Sequence, residues 1–272
     1  MLFVEHTKPS PELATYVYGY VQRISVPNRP DVIEPVVARS GSMLEFQFGD
    51  PYDVPAYDVD LPNPSVPITV IGPMPARHVR LVIRGRVEAL AVLFRPLGWS
   101  AIFKIPLTPL VGTGTEAGGI LGRGVNALYQ QMGNMRSFSE RVKMVEAFLV
   151  CQLQRRGTVH SAHRALHVIA SGRSGLIVQQ AASQAGISTR QLERVALECF
   201  GITPVLLGRL GRFQHSLRLR QSTKNSWTWI AHEAGYHDQM HMVRDYHQFA
   251  GMPPERAMMQ LSAEHLISFM CR

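Results

Sequence analysis

Ala182-Ser-Gln-Ala-Gly-Ile-Ser-Thr-Arg-Gln-Leu-Glu-Arg194 and Ala231-His-Glu-Ala-Gly-Tyr-His-Asp-Gln-Met-His-Met-Val-Arg244 are two copies of one pattern. The Ala-x-x-Ala-Gly run returns after 49 residues, and beyond it Leu192, Arg194 and Gly201 match Met242, Arg244 and Gly251 at a spacing of 50. Each copy begins with small alanines that let two helices approach closely. Gly186 and Gly235 follow, where a helix must end in a left-handed turn that glycine enters cheaply. A second helix then starts on its own cap: Ser188-Thr-Arg-Gln191 is a capping box, and Asp238 caps the other copy. The sequence therefore predicts two helix-turn-helix units, the first helix over Ile177 to Ala185.

In the second helix of each unit the helical period buries Leu192 and Val195, or Met242 and Tyr246. It turns Thr189, Arg190, Glu193 and Arg194, or Gln239, Met240, Val243 and Arg244, outward. Between the units Gly201-Ile-Thr-Pro204 opens a long helix, with Thr203 as N-cap and Pro204 in the first turn, where its missing N–H is harmless. Running to about Leu219, this helix spans about 25 Å. That length could hold the units roughly one DNA turn, about 34 Å, apart. Gly208 and Gly211 inside it each cost roughly 1 kcal/mol relative to Ala, which puts its rigidity in question.

Upstream the period changes. Ser42-Met-Leu-Glu-Phe-Gln-Phe-Gly49 alternates Leu44, Phe46 and Phe48 with Met43, Glu45 and Gln47, the pattern of a half-buried strand. Further strands are predicted over Tyr18 to Ile24, Val32 to Ala38, Ile68 to Ile71, Val79 to Ile83 and Val87 to Phe94. Leu97 to Phe103 reads as a short helix, the Gly-rich Val111 to Gly124 as a loop, and Arg141 to Leu153 as a helix through Val142, Val145, Phe148 and Leu149. That last helix either joins two domains, pairs with a second copy of the chain, or packs on its own domain. The expected class is α+β: a mainly antiparallel sheet or barrel-like domain with a few helices over 1–112, a helical connector over 113–159 with a hinge at Gly157 to Ser161, and an all-α domain of about seven helices over 160–272.

The quoted runs, together with Phe200-Gly-Ile-Thr-Pro204 and Ala250-Gly-Met-Pro-Pro254, resemble the DNA-binding domain of the AraC/XylS family over about His163 to Gln260. Ile71-Gly-Pro-Met-Pro-Ala-Arg77, Val92-Leu-Phe-Arg-Pro-Leu-Gly98 and Phe103-Lys-Ile-Pro106 resemble an amino-terminal domain attached to one branch of that family. The chain departs from the family pattern at Ala196, where a larger core residue is usual, and at Met242, which replaces Leu or Phe. The resemblance implies a transcription regulator whose partner is double-stranded promoter or operator DNA. It leaves open contact with RNA polymerase, a homodimer, and an unidentified small-molecule effector at the amino-terminal domain.

Arginine pairs bidentately with guanine O6 and N7 and glutamine with adenine, so Arg190, Arg194, Gln239 and Arg244 are the leading base-contact candidates. Thr189, Glu193, Met240 and Val243 complete the outward set. Arg194 and Arg244 have other uses open to them: a phosphate, or an internal acid such as Glu198 or Asp245. Arg212, Arg218 and Arg220 are either phosphate contacts or part of a solvated helix face.

Charge supports a polyanionic partner: residues 160–272 hold 12 Lys and Arg against 7 Asp and Glu, within a formal net charge of +8. Other classes find little footing. A cupin-type metal enzyme needs several ligands, and Leu2 to Val159 offers only His6 and His78. Cys151, Cys199 and Cys271 lie far apart, without the company that makes a zinc site or a reactive thiol. His237 and His241 have metal-pair spacing but lie in a DNA-reading element. No GxSxG, Walker loop or dinucleotide fingerprint occurs, so no catalysis, metal or cofactor is expected. With no long apolar run and no signal-peptide pattern, the chain reads as soluble and cytoplasmic. The rival reading is a ligand-binding or protein-interaction module whose DNA binding has degenerated.

Overall fold

A computed structural model describes residues 2–25, 32–55, 63–76, 80–83, 85–154, 161–172 and 178–260. Its first half is built on strands β1 (Leu2–Thr7), β2 (Val17–Ser25), β3 (Val32–Pro35), β4 (Met43–Gln47), β5 (Ile68–Ile71), β6 (Arg80–Ile83) and β7 (Glu88–Phe94). Helix α1 (Gly98–Phe103), a 3-10 turn over Thr108–Leu110, strand β8 (Gly114–Glu116) and helices α2 (Gly118–Leu121), α3 (Arg123–Gly133) and α4 (Phe138–Gln154) follow. Among the described residues the strands form an antiparallel sheet ordered β1-β2-β7-β4-β5-β8 and a separate pair, β3 with β6.

Alternation places Leu44, Phe46, Leu90 and Val92 on one face of the large sheet, packed against Trp99, Ile102, Val125, Val145 and Leu149 from the helices. Helix α4 thus buries Val142, Val145 and Leu149 in the core of the β domain. The opposite face was expected to meet solvent, yet all five residues of β4 are buried. Tyr52 bonds Glu45 directly, and Leu81 of β6 with Val36, Val37 and Arg39 lines a cavity shared with Met43 and Glu45; this second layer is the reason.

Four elements escaped the sequence reading. β8 lies inside the stretch expected to be a loop; its three residues are exposed and pair with β5 through backbone alone, so no apolar alternation marks it. The edge strand β1 and the short α2 were also unread. The spacing of the buried Val125, Leu128 and Met132 would have shown α3. The strand expected over Val32 to Ala38 ends at Pro35. Val37 and Ala38 leave the sheet and are buried in the core of the second half. Most of the expected hinge, 157–160, lies outside the described residues, as do the expected strand residue Val79 and helix residue Ile177.

The second half contains α5 (Ser161–Ser171), α6 (Val178–Gln184), α7 (Thr189–Phe200), α8 (Pro204–Ser222), α9 (Trp227–Glu233), α10 (Gln239–Ala250) and α11 (Pro254–Gln260). One core joins them through Leu166, Leu192, Leu210, Phe213, Tyr246 and Phe249. The glycine that seemed to weaken α8 has a packing purpose. A Cβ on Gly211 would sit 2.6 Å from the Ala170 carbonyl oxygen and 2.9 Å from the Gly172 nitrogen. Without one, the end of α5 closes directly onto the middle of α8. Among the described residues no helix is long and apolar enough to cross a membrane.

Candidate nucleic-acid interface

Both helix-turn-helix units close with the same hydrogen bonds. In the first, the Gly186 N–H donates to Ser183 O (3.0 Å) and Ile187 N–H to Ala182 O (3.1 Å); in the second, Gly235 N–H donates to His232 O (3.0 Å) and Tyr236 N–H to Ala231 O (2.9 Å). This is the Schellman closure, with φ of +68° at Gly186 and +78° at Gly235. The caps follow at the expected residues. Ser188 Oγ accepts from Gln191 N–H (3.2 Å), Thr203 Oγ1 from Leu206 N–H (3.3 Å) and Asp238 Oδ1 from His241 N–H (2.7 Å). The His241 N–H and then the His237 side chain hold the Asp238 carboxyl below the usual carboxylate range, so at neutral pH it stays an acceptor. Ser226 caps α9 in the same way, bonding Trp229 N–H at 3.2 Å, a signal present in the sequence and not read.

Leu192, Ala196, Met242 and Tyr246 are fully buried, and Val195 packs partly against the same core. Ala196 and Met242, the two departures from the family pattern, therefore both occupy core positions. Arg190, Glu193 and Arg194 of α7 and Gln239, Met240 and Arg244 of α10 are exposed, while Thr189 and Val243 are half-buried. Arg194 Nη1 pairs with Glu198 Oε1 at 2.7 Å across one helical turn, with both side chains more than half exposed. Such a surface pair contributes only about 0.3–0.5 kcal/mol and is readily exchanged for another acceptor. Gln239 Oε1 accepts from Thr228 Oγ1 at 2.8 Å.

Asp245, weighed as a partner for Arg244, belongs instead to Arg209. The Arg209 guanidinium reaches Asp245 Oδ1 through Nε (3.1 Å) and Nη2 (2.6 Å) and lies over the Phe249 ring. Ser216 and Tyr246 share a hydrogen bond of 2.9 Å nearby, so α10 is locked to α8 by polar as well as apolar contacts. The three phosphate-contact candidates are engaged inside the molecule. Arg212 lies over Tyr236, Arg220 lies over Trp227, and Arg218 lines a cleft with Tyr18, Ser40 and Gln214.

The β domain holds the far ends of both outward-facing helices, which the sequence did not foretell. Leu107 N–H donates to Glu198 O (3.2 Å) and Thr108 Oγ1 to Leu197 O (2.8 Å) in the last turn of α7. Ala38 N–H donates to Phe249 O (2.9 Å) in the last turn of α10, and Ser40 Oγ to Gln214 Oε1 (3.1 Å) on α8. The starts of α7 and α10, where helices of this kind meet base edges, are not used by these contacts.

Residues 181–260 match the family described as helix-turn-helix domain. The C-terminal domain is thus a helix-turn-helix domain, as its two copies suggested. No curated protein matches the chain in sequence. Solved structures share its fold. ToxT from Vibrio cholerae aligns with a TM-score of 0.50 at 9% identity, covering 89% of this chain and 99% of that one. An apo form of a ToxT variant from Vibrio cholerae strain SCE256 gives 0.50 at 8% identity, covering 94% and 100%. The AraC-like transcriptional activator CuxR aligns with a TM-score of 0.28 at 13% identity, covering 81% and 87%, a score below that of a shared fold.

Proposed function

We infer that this chain, whose C-terminal helix-turn-helix domain resembles that of the AraC/XylS family, is a transcription regulator that lays the starts of α7 and α10 into two successive major grooves of double-stranded DNA. The observation that carries this reading is the equivalence of the two units. Each has the same turn closure and its own side-chain cap, and its core register leaves an arginine-bearing face exposed, with both faces mounted on α8. Arg190, Arg194, Gln239 and Arg244 are assigned to base edges, with Thr189, Glu193, Met240 and Val243 beside them. The exposed Arg194 and Arg244, kept at the equivalent position of both units, speak against a degenerate module, since caps and cores alone would serve any fold.

The N-terminal domain serves as the sensor. Its cavity of about 210 Å³ between the large sheet and the β3–β6 pair exceeds the roughly 150 Å³ that admits a benzene ring in a protein interior. A molecule in that cavity alters DNA affinity only to the extent that it prefers one arrangement of the domains.

Selection from random duplexes by the full-length chain at near-physiological salt is expected to enrich a site of two blocks about one helical turn apart. Arg194→Ala and Arg244→Ala should each weaken binding by about 1–3 kcal/mol and relax preference in one block only. Binding that is steeply salt-sensitive and indifferent to sequence would sink the assignment in favour of the degenerate module.

A further inference from the structure

We propose that the cavity of the N-terminal domain binds a small organic anion, a monocarboxylate on an apolar body, with the Arg39 guanidinium as its counter-ion. The proposal rests on the sensor reading above and names its ligand class. The walls are hydrocarbon: Val21, Val36, Met43, Ile71, Ala91 and Leu93 all line the space. The polar groups at its floor are largely matched to one another. Glu45, only 2% exposed, receives Arg23 Nη2 at 2.6 Å on Oε2 and the Tyr52 hydroxyl on Oε1. Gln47 Oε1 accepts from Ser65 Oγ at 2.6 Å, and the same Ser65 oxygen accepts from Tyr52 N–H at 3.1 Å.

Arg39 is the exception. It lines the cavity, its Nε is buried, and among the described residues that nitrogen has no acceptor. Burial pushes the guanidinium down to about 10, against an upward pull from Glu45 and a further downward push from Arg23, so it remains a cation at neutral pH. Two arginines thus share Glu45, while the other carboxylate of the lining, Glu116, caps the Gly118 and Gly119 N–H groups. A buried guanidinium N–H left without an acceptor is costly, and a planar carboxylate that accepts two parallel N–H bonds relieves that cost. A cationic ligand would be repelled by the same charge.

Arg39 is also well placed to report occupancy. Its backbone is bridged to Met74 (2.7 and 2.9 Å), while its neighbours Ala38 and Ser40 are the residues that hold α10 and α8.

The test titrates the full-length protein by calorimetry with benzoate, hexanoate and butyrate, each against its own amide. We expect at least one acid to bind, its amide to bind at least about tenfold more weakly, and Arg39→Gln to weaken the acid by a similar factor, with Arg39→Lys recovering part of the loss. Without ligand, Arg39→Gln should raise Tm, because it removes a guanidinium whose buried Nε has no acceptor; a lowered Tm would mark Arg39 as structural and overturn the proposal. Equal binding of acid and amide, or of wild type and Arg39→Gln, would overturn the anion while leaving the sensor in place. Failure of every acid and amide to bind would also overturn it. If in addition filling the cavity with Ala91→Leu left DNA affinity unchanged, the sensor reading would fall with it.

Discussion

Gly172→Ala should lower the unfolding free energy of the C-terminal domain by about 3 kcal/mol, combining a left-handed backbone penalty with an overpacking penalty. Gly172 sits at φ +68°, and a Cβ there would lie 2.3 Å from the carbonyl carbon of Gly211 and 2.5 Å from the nitrogen of Arg212. These neighbours are backbone atoms of a helix and cannot rotate away. To admit the methyl group, α5 must lift from α8, loosening the contact through which Ile169 and Leu166 reach the common core. Gly133→Ala is the control: its φ is not positive and nothing lies within 4 Å of the added carbon, so stability should hold or rise slightly. Urea unfolding followed by circular dichroism on both variants settles the matter. A loss below about 1 kcal/mol at Gly172 would mean that the helices do not meet glycine to glycine.

The second large effect comes from the ion pair under α10. Asp245 is 1% exposed, and Arg209 is the cation that answers its charge. Arg209→Leu leaves a carboxylate buried without compensation, which typically costs about 3–5 kcal/mol. Replacing both residues, Arg209→Leu with Asp245→Leu, should recover most of that loss, because neither charge then has to leave water. A double-mutant cycle from thermal or denaturant unfolding reads the coupling directly. Additive losses would show that the two side chains act separately. Since Asp245 lies next to Arg244 on the same helix, the single variant should also weaken DNA binding beyond its share of unfolded protein.

What could be read from the chain divides along physical lines. The helix-turn-helix units were legible because their determinants are local. A glycine at a left-handed turn, a serine or aspartate one residue before a helix and a 3.6-residue apolar period all lie within a dozen positions of one another. The strands carrying Leu44, Leu90 and Val92 were legible for the same reason. The two-sided burial of β4 was not, because what covers Met43 and Glu45 is a segment and a strand pair that contribute through tertiary contact. Nor could the sequence show that the Arg39 Nε lacks an acceptor among the described residues while Arg23 has one in Glu45; that difference depends on where the fold delivers the carboxylate. The assignment of Asp245 between Arg209 and Arg244 is of the same kind. Arg209 is 36 residues away in sequence and becomes adjacent only once α10 lies across α8.

The two ends held by the β domain, Leu197 and Glu198 at the close of α7 and Phe249 at the close of α10, belong to elements that α8 alone would otherwise space. A second body fastened to both makes the pair a caliper of set opening rather than two probes on a flexible stem. Operator tolerance then becomes a property of the whole chain. Two recognition sequences offset by one extra base pair would be rotated by about a tenth of a turn relative to each other, a mismatch that a lone helix can absorb by bending and a braced frame cannot. A promoter would be chosen as much by the distance between its two words as by the letters in them, and whatever loosens the β domain's hold would widen the list of promoters the protein accepts.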